Sequence, residues 1–379
     1  NVSSEPKSKL ETIVITASGY EQDISKAPAS MTVISREELD KREYSDITDV
    51  LRNTPGVVVS GSGSAQSISI RGMSSNYTLF LIDGKRQYSK DVNPNGDDNG
   101  FEKNILPPMA AIERIEIIRG PASTLYGSEG MGGVSNIITK KVSDEWSGTA
   151  ELGTVIQDKG DAGDLKNASV YIAGPLIPNK LGLQLGVSKQ EREEDSFVGG
   201  FRGNERESLN SRLTYMLNDQ HDLQFDANFT TQDAKSTVGK TVEAVANATD
   251  SNSRNYRSVY ALTHNGRYSD QLDSATYLQY ENSKNPDRAN TTLDTKGIEL
   301  ETWTFNNQWN WLLNKHKLSF GAYYKDEVLN DKATNRNPNI PEFSELSRWS
   351  VAGFLEDTWS VTDQFNLTGG LRYDHDENY

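Results

Sequence analysis

The sequence contains no cysteine, so disulfides and thiolate metal sites are excluded. It has no long apolar stretch either. Runs such as 79-LFLI-82 are among the longest, and mean hydropathy is −0.67. A membrane-crossing helix needs about 20 consecutive apolar residues, so no helical span is expected. Basic residues are in deficit, 39 Lys and Arg against 54 Asp and Glu, for a formal charge of −15. That balance argues against a nucleic-acid partner, which requires a basic patch. The four histidines, His221, His264, His316 and His375, are scattered, and neither H-E-x-x-H nor G-x-S-x-G occurs. With no nucleophile–base arrangement legible, catalysis is not expected. The N-terminal 1-NVSSEPKSKL-10 lacks an apolar core. It reads as a cytosolic start or as a mature end left by signal-peptide cleavage.

None of these absences excludes a transmembrane β-barrel, whose strands alternate apolar-out with polar-in and keep hydropathy low. That alternation is present after residue 145. Leu181, Leu183, Leu185 and Val187 share one face, as do Leu223, Phe225, Ala227 and Phe229. The same holds for Leu318, Phe320, Ala322 and Tyr324, and for Phe365, Leu367, Leu371 and Tyr373. Opposite faces carry Gln224, Asp226, Asn228, Arg372 and Asp374. Roughly eleven such strands are predicted. Short turns (218-NDQ-220, 269-SD-270, 362-TDQ-364) alternate with long polar loops (189–207, 234–254). Aromatic residues, Trp146, Tyr171, Trp303, Trp309, Trp349 and Trp359, are expected near strand ends as interfacial girdles. A soluble sandwich also alternates, but several of these runs are longer than its usual strands. The membrane barrel is the better reading.

Before residue 145 the texture is that of a small α+β globule. Ser35 and Glu38 in 32-TVISREELDKR-42 form a capping box, predicting a helix after a strand. Ile47, Val50 and Leu51 mark a short amphipathic helix stopped before Pro55. The stretches 68-ISIRGM-73, 79-LFLIDGKR-86 and 113-ERIEIIRG-120 read as strands ending in turns. The glycines of 127-GSEGMGG-133 have the wrong spacing for a dinucleotide loop and precede a strand. One loop, 91-DVNPNGDDNGFE-102, fits the calcium pattern D-x-[DN]-x-[DN]-G-x5-E through Asp91, Asn93, Asn95, Gly96 and Glu102, with Asp97 as a further oxygen donor. No helical pattern flanks it, and Pro94 stiffens its middle.

The ordered set 13-IVITAS-18, 55-PGVVV-59, 68-ISIRGM-73, 79-LFLIDGKR-86 and 112-IERIEIIRGPASTLYGSEGMGGVSNIITKK-141 resembles the plug of a TonB-dependent outer-membrane receptor. The region 146–379 resembles the start of that family's barrel. Within the family, 136-NIITKKVSDEWSGT-149 and 173-AGPLI-177 are similar to the catecholate-siderophore branch that includes the colicin I receptor. The resemblance implies an α+β plug domain inside an antiparallel transmembrane β-barrel of about 22 strands. Eleven or so strands cannot close around such a plug, so the chain is expected to be the N-terminal part of a longer receptor. The expected division is a periplasmic segment (1–20), a plug (21–145) and the first part of the barrel (146–379).

The resemblance also implies roles for named residues. Glu11, Thr12, Ile13, Val14, Ile15, Thr16 and Ala17 match the TonB box, a β-prone strand that adds to the TonB C-terminal domain. Arg71, Arg119, Glu113 and Glu116 are expected to form a plug–barrel lock. The outer face of the plug would bind a ferric siderophore, with Arg86, Tyr88, Lys90, Phe101 and Lys103, and Arg202 and Arg206 from the long loop. Cations and aromatic rings suit a trianionic, aromatic catecholate chelate. The expected function is active import of that chelate across the Gram-negative outer membrane with no chemical change and no required cofactor. The partners are TonB with its energising complex, outer-membrane lipid, and colicins or phage. Haem, cobalamin or another metal chelate is the alternative cargo. A secreted calcium-binding β-protein and a passive porin or adhesin are the rivals of other classes. On the family reading, Asp91–Glu102 is either an acidic apical loop or a helix-free Ca²⁺ site that orders the outer face.

Overall fold

The computed structural model describes residues 13–14, 22–23, 30–41, 44, 47–62, 65–88, 107, 109–120, 124–142, 144–290, 295–332, 345–362 and 364–377. In chain order the first region holds β1 (Ile13–Val14), β2 (Gln22–Asp23), β3 (Met31–Ser35), α1 (Arg36–Asp40), α2 (Ile47–Arg52), β4 (Val57–Ser62) and β5 (Ala65–Ile70). It continues with β6 (Thr78–Ile82), β7 (Lys85–Arg86), β8 (Ile112–Arg119) and β9 (Gly133–Thr139). Five of these strands form one sheet in the order β3-β8-β9-β6-β7.

The sheet's centre is buried on both faces, which is why β6 reads as a continuous hydrophobic run. Ile47, Leu51, Ile70, Phe80, Ile115, Ile117 and Ile137 pack in one cluster. Leu79, Leu81, Ile118 and Val134 pack in a second. The predicted capping box is present: Ser35 Oγ accepts from Glu38 N at 3.3 Å, and Glu38 Oε2 accepts from Ser35 N at 3.1 Å. Helix α2 buries Ile47, Val50 and Leu51, as its spacing predicted.

The second region is a single antiparallel sheet of 11 strands in strict sequence order. These are β10 (Ser147–Val155), β11 (Leu165–Ile177), β12 (Leu181–Arg192), β13 (Gly203–Asn218), β14 (His221–Ser236) and β15 (Ser251–Ser269). The sheet continues through β16 (Leu272–Asn290), β17 (Thr295–Leu313), β18 (His316–Asp331), β19 (Glu345–Thr362) and β20 (Phe365–Asp376). Strands reach 19 residues, longer than the roughly 9–11 that cross a bilayer. The wall therefore continues past the hydrocarbon.

Its two faces separate as the period of two predicts. Phe225, Phe229, Leu262, Leu278, Trp303, Phe305 and Leu355 point outward and are exposed. Asp226, Arg257, Gln279, Glu281, Thr302 and Lys325 point inward and are buried. Tyr171 departs from the expected girdle. It lies on the inner face, buried with Ala110, Ala111 and Ala173.

Candidate functional site: the seam between plug and wall

The site grows from a two-residue hairpin. Leu81 pairs with Arg86 and Ile82 with Lys85, leaving Asp83 and Gly84 as the turn. Both have positive φ, 48° and 76°, as the Asp-Gly turn of a tight hairpin requires. Strand β7 is the edge of its sheet, and it runs against the inner wall of the second region.

Four charged groups form a ring across that contact, three of its sides ion pairs and the fourth the hairpin backbone between Asp83 and Lys85. Arg212 Nη2 donates to Asp83 Oδ2 at 2.7 Å, and Arg212 Nε donates to Asp226 Oδ1 at 2.6 Å. Lys85 Nζ lies 3.2 Å from Asp226 Oδ2. Thr139 completes the seat, donating to Asp83 through its N–H (2.8 Å) and hydroxyl (2.7 Å). Asp226 faces Arg212 directly across β13 and β14, so strand register alone presets half the ring. Burial would raise the Asp83 carboxyl, but Arg212, Lys85 and the Thr139 donors outweigh it and hold the group down at about 2. Signs alternate around the ring. Such buried charges are tolerated only when paired, and removing one partner is strongly destabilising.

The chain then runs along the wall. Arg257 Nη2 donates to Gln87 Oε1 and Arg257 Nε to Glu281 Oε1 at 2.9 Å. Tyr88 N donates to Glu281 Oε2 at 3.2 Å, and Gln279 Nε2 to Arg86 O at 2.7 Å. The Tyr88 and Tyr323 hydroxyls are hydrogen-bonded to each other. Arg86 pairs with Glu129 at 2.5 Å and stacks over Tyr323, 4.6 Å from the ring centre. Burial pushes the Tyr88 phenol up and keeps it protonated. A cavity of about 60 Å³ borders the hairpin, lined by Lys85, Gln87, Arg212, Asp226, Arg257 and Gln279 among others.

This geometry corrects one expectation. Arg86 and Tyr88 do not face an outer vestibule: they are 5% and 1% exposed, pressed between β7 and the wall. The four residues expected to form a lock make the following contacts among the described residues. Arg119 donates to Pro55 O and Met31 O, both at 3.3 Å. The Arg71 guanidinium lies over Gly120. Glu116 bonds Arg114 at 2.8 Å, and Glu113 is exposed. These contacts lie inside the first region, because β8 is an interior strand of its sheet. Among the described residues, the ion pairs that cross to the wall use Asp83, Lys85 and Glu129 on the plug side, where Arg86 pairs with Glu129, and Arg212, Asp226 and Lys325 on the wall.

Among the other candidates, Arg202 donates to Ser236 Oγ and Ser251 Oγ at 3.0 and 3.1 Å, tying its loop to two strands. Arg206 Nη2 donates to Gln190 Oε1 at 3.2 Å near the long-loop end of the wall. Lys90, Phe101, Lys103 and the calcium-pattern residues Asp91, Asn93, Asn95, Asp97 and Glu102 lie outside the described residues. Of Glu11–Ala17, only Ile13 and Val14 are described, paired with Asp23 and Gln22. Residues missed from the sequence include Asp83, Lys85, Arg212, Arg257, Glu129 and Lys325. The available signal was a charge deep within a strand's polar face, as at Arg212 and Asp226.

Comparison with known proteins places this arrangement. Residues 23–134 match the TonB-dependent Receptor Plug Domain, and residues 168–379 match the family described as TonB dependent receptor-like, beta-barrel. The iron-regulated outer membrane virulence protein of Vibrio cholerae serotype O1 is 45% identical over 372 residues, covering 97% of this chain and 55% of the relative. The siderophore receptor PirA from Acinetobacter baumannii superposes with a TM-score of 0.81 at 26% identity, covering 92% of this chain and 56% of that one. A mutant of the ferric enterobactin receptor PfeA from Pseudomonas aeruginosa gives 0.81 at 25% identity, covering 97% and 59%. The chain thus spans about half the length of the relatives it matches. A plug sheet bonded by its edge to the inner wall of an outer-membrane β-sheet, and a match over both regions, identify the chain as a member of the TonB-dependent receptor family, which consists of transport receptors and not enzymes.

Proposed function

We propose that the chain is the plug and the first part of the barrel of a receptor that actively imports a ferric siderophore, of the catecholate class, into the periplasm. The observation that supports this most is the buried ring of Asp83, Arg212, Asp226 and Lys85. A plug edge held by paired, desolvated charges does not leave its seat unaided, because separating them exposes each to an uncompensated site. Passage therefore needs work from outside, which distinguishes import from passive diffusion through a porin. The N-terminal strand supplies a handle of the right chemistry. Ile13 and Val14 already pair as β-structure, and an extended β-branched segment adds readily to a partner's sheet edge. TonB is the partner in this reading.

The cargo class is supported by relatives named as ferric enterobactin and siderophore receptors, and by cations on the lumen face. Arg206 and Arg348 are both partly exposed there. Guanidinium groups suit an anionic aromatic chelate through charge and stacking.

Growth with single chelates as sole iron source tests the proposal. A strain lacking the gene is expected to lose growth on a ferric catecholate and regain it with the full-length gene. Restoration is expected to need TonB. Unchanged uptake of every iron chelate and of cobalamin in the deletion strain overturns it.

A further inference from the structure

A line of alternating charges leaves the plug and ends at a half-exposed cation in the lumen. Arg86 lies 2.5 Å from Glu129, and Glu129 lies 3.2 Å from Lys325. Lys325 lies 3.0 Å from Glu327, and Glu327 lies 2.6 Å from Arg348. Arg348 also approaches Asp376 at 3.7 Å. Strand geometry sets the spacing: Lys325 and Glu327 share the inner face of β18, and Glu327 sits directly opposite Arg348 on β19. Lys325 and Glu327 are buried, at 4% and 9% exposure, whereas Glu129 is 36% and Arg348 46% exposed.

In such a line each interior group divides its attraction among its neighbours. Glu327 shares itself between Arg348 and Lys325. Lys325 shares itself between Glu327 on the wall and two plug groups, Glu129 and the face of Tyr88 at 4.8 Å. The Lys325–Glu327 pair in the middle is buried and weakly screened, so a change at Arg348 alters the hold of Lys325 on Glu129.

We propose that Arg348 is the receptor's anion sensor. An anionic ligand in the lumen draws the Arg348 guanidinium away from Glu327. Glu327 then turns wholly to Lys325, and Lys325 releases its grip on Glu129 of the plug. The inference rests on the proposed import of an anionic chelate and adds the residue that reports its arrival. Arg348 acts here as a positioning residue, through Glu327 and Lys325.

The test reads backbone hydrogen exchange at Ser128–Met131, the turn that carries Glu129, in the full-length receptor. Arg348→Gln is expected to raise exchange there, because Glu327 is left with Lys325 alone. Glu327→Gln is expected to lower it, because Lys325 is left with its plug partners, Glu129 and Tyr88. Both shifts are expected to be about two- to thirtyfold, with opposite signs. Adding ferric enterobactin should raise exchange in the unaltered receptor and leave Arg348→Gln unmoved. Shifts of the same sign in both variants, or no shift in either, overturn the proposal. Binding of ferric enterobactin with no change at Ser128–Met131 overturns it as well. If ferric enterobactin is not bound at all, the catecholate cargo fails, and the two variants still decide the charge line.

Discussion

Arg212 Nη2 lies 2.7 Å from Asp83 Oδ2, joining two residues 129 positions apart across the seam between plug and wall. Asp83 is held at about 2, below its ordinary 3.8, and its side chain is 17% exposed. A carboxylate with a depressed folded value stabilises fully above its unfolded value and loses that contribution as pH falls through the folded one. The plug of the full receptor should therefore loosen as pH drops from about 4 to about 2. Asp83→Asn should cost about 2 kcal/mol at neutral pH and flatten the acid limb. Thermal unfolding followed across that pH range checks both, and an unchanged acid limb in the variant contradicts the assignment.

The ring can be dissected by a double-mutant cycle on Lys85 and Asp226. Lys85→Met alone leaves Asp226 buried with Arg212 as its remaining cation, and a loss of several kcal/mol is expected. Adding Asp226→Asn to that variant should recover part of the loss, giving a coupling of about 1–3 kcal/mol. Denaturant midpoints of the four proteins measure it. Simple additivity would mean that the 3.2 Å contact contributes no specific hold.

Gly84 tests the turn separately from the charges. Its φ is +76°, and a Cβ built there meets nothing within 4 Å. Gly84→Ala should thus cost about 1 kcal/mol through backbone strain alone. Gly84→Asn should cost less, since asparagine tolerates left-handed conformations. Equal melting temperatures for the two variants would contradict a purely conformational cost.

The N-terminal strand can be tested without touching ligand binding. Val14→Pro removes a ladder donor and fixes φ, disrupting strand addition of the Ile13–Val14 segment. Iron-chelate uptake is expected to fall to the level of a TonB-deficient strain, with surface binding of the chelate unchanged. Full uptake in Val14→Pro would remove this segment as the handle.

The fold was legible wherever local periodicity decides structure. The face of Leu223, Phe225, Ala227 and Phe229, the Ser35–Glu38 cap and the burial of Ile47, Val50 and Leu51 all follow from spacing within a few residues. The seam was not legible, because it depends on which strand forms the edge of the plug sheet. The segment 79-LFLIDGKR-86 shows its turn plainly, but nothing local shows that β7 ends the sheet and meets β13 to β18. Arg86 and Tyr88 accordingly looked like members of a solvated loop. Arg212 and Asp226 were visible only as charges on a polar face. Their partners on the plug lie more than a hundred residues away in sequence.

From Asp83 to Tyr88 the plug edge touches wall strands in nearly consecutive order. Asp83 meets β13, Lys85 meets β14, Gln87 meets β15, and Tyr88 meets β16 and β18. Attachments arranged this way have a mechanical direction. A pull that peels the strand off the wall from one end loads them one after another, as in unzipping, and each step faces only one attachment's barrier. A force along the strand axis, or one spread evenly over its length, loads them in parallel and meets their sum. The same seam is thus rigid to pressure from a lumen full of solute and compliant to a thread drawn from one end.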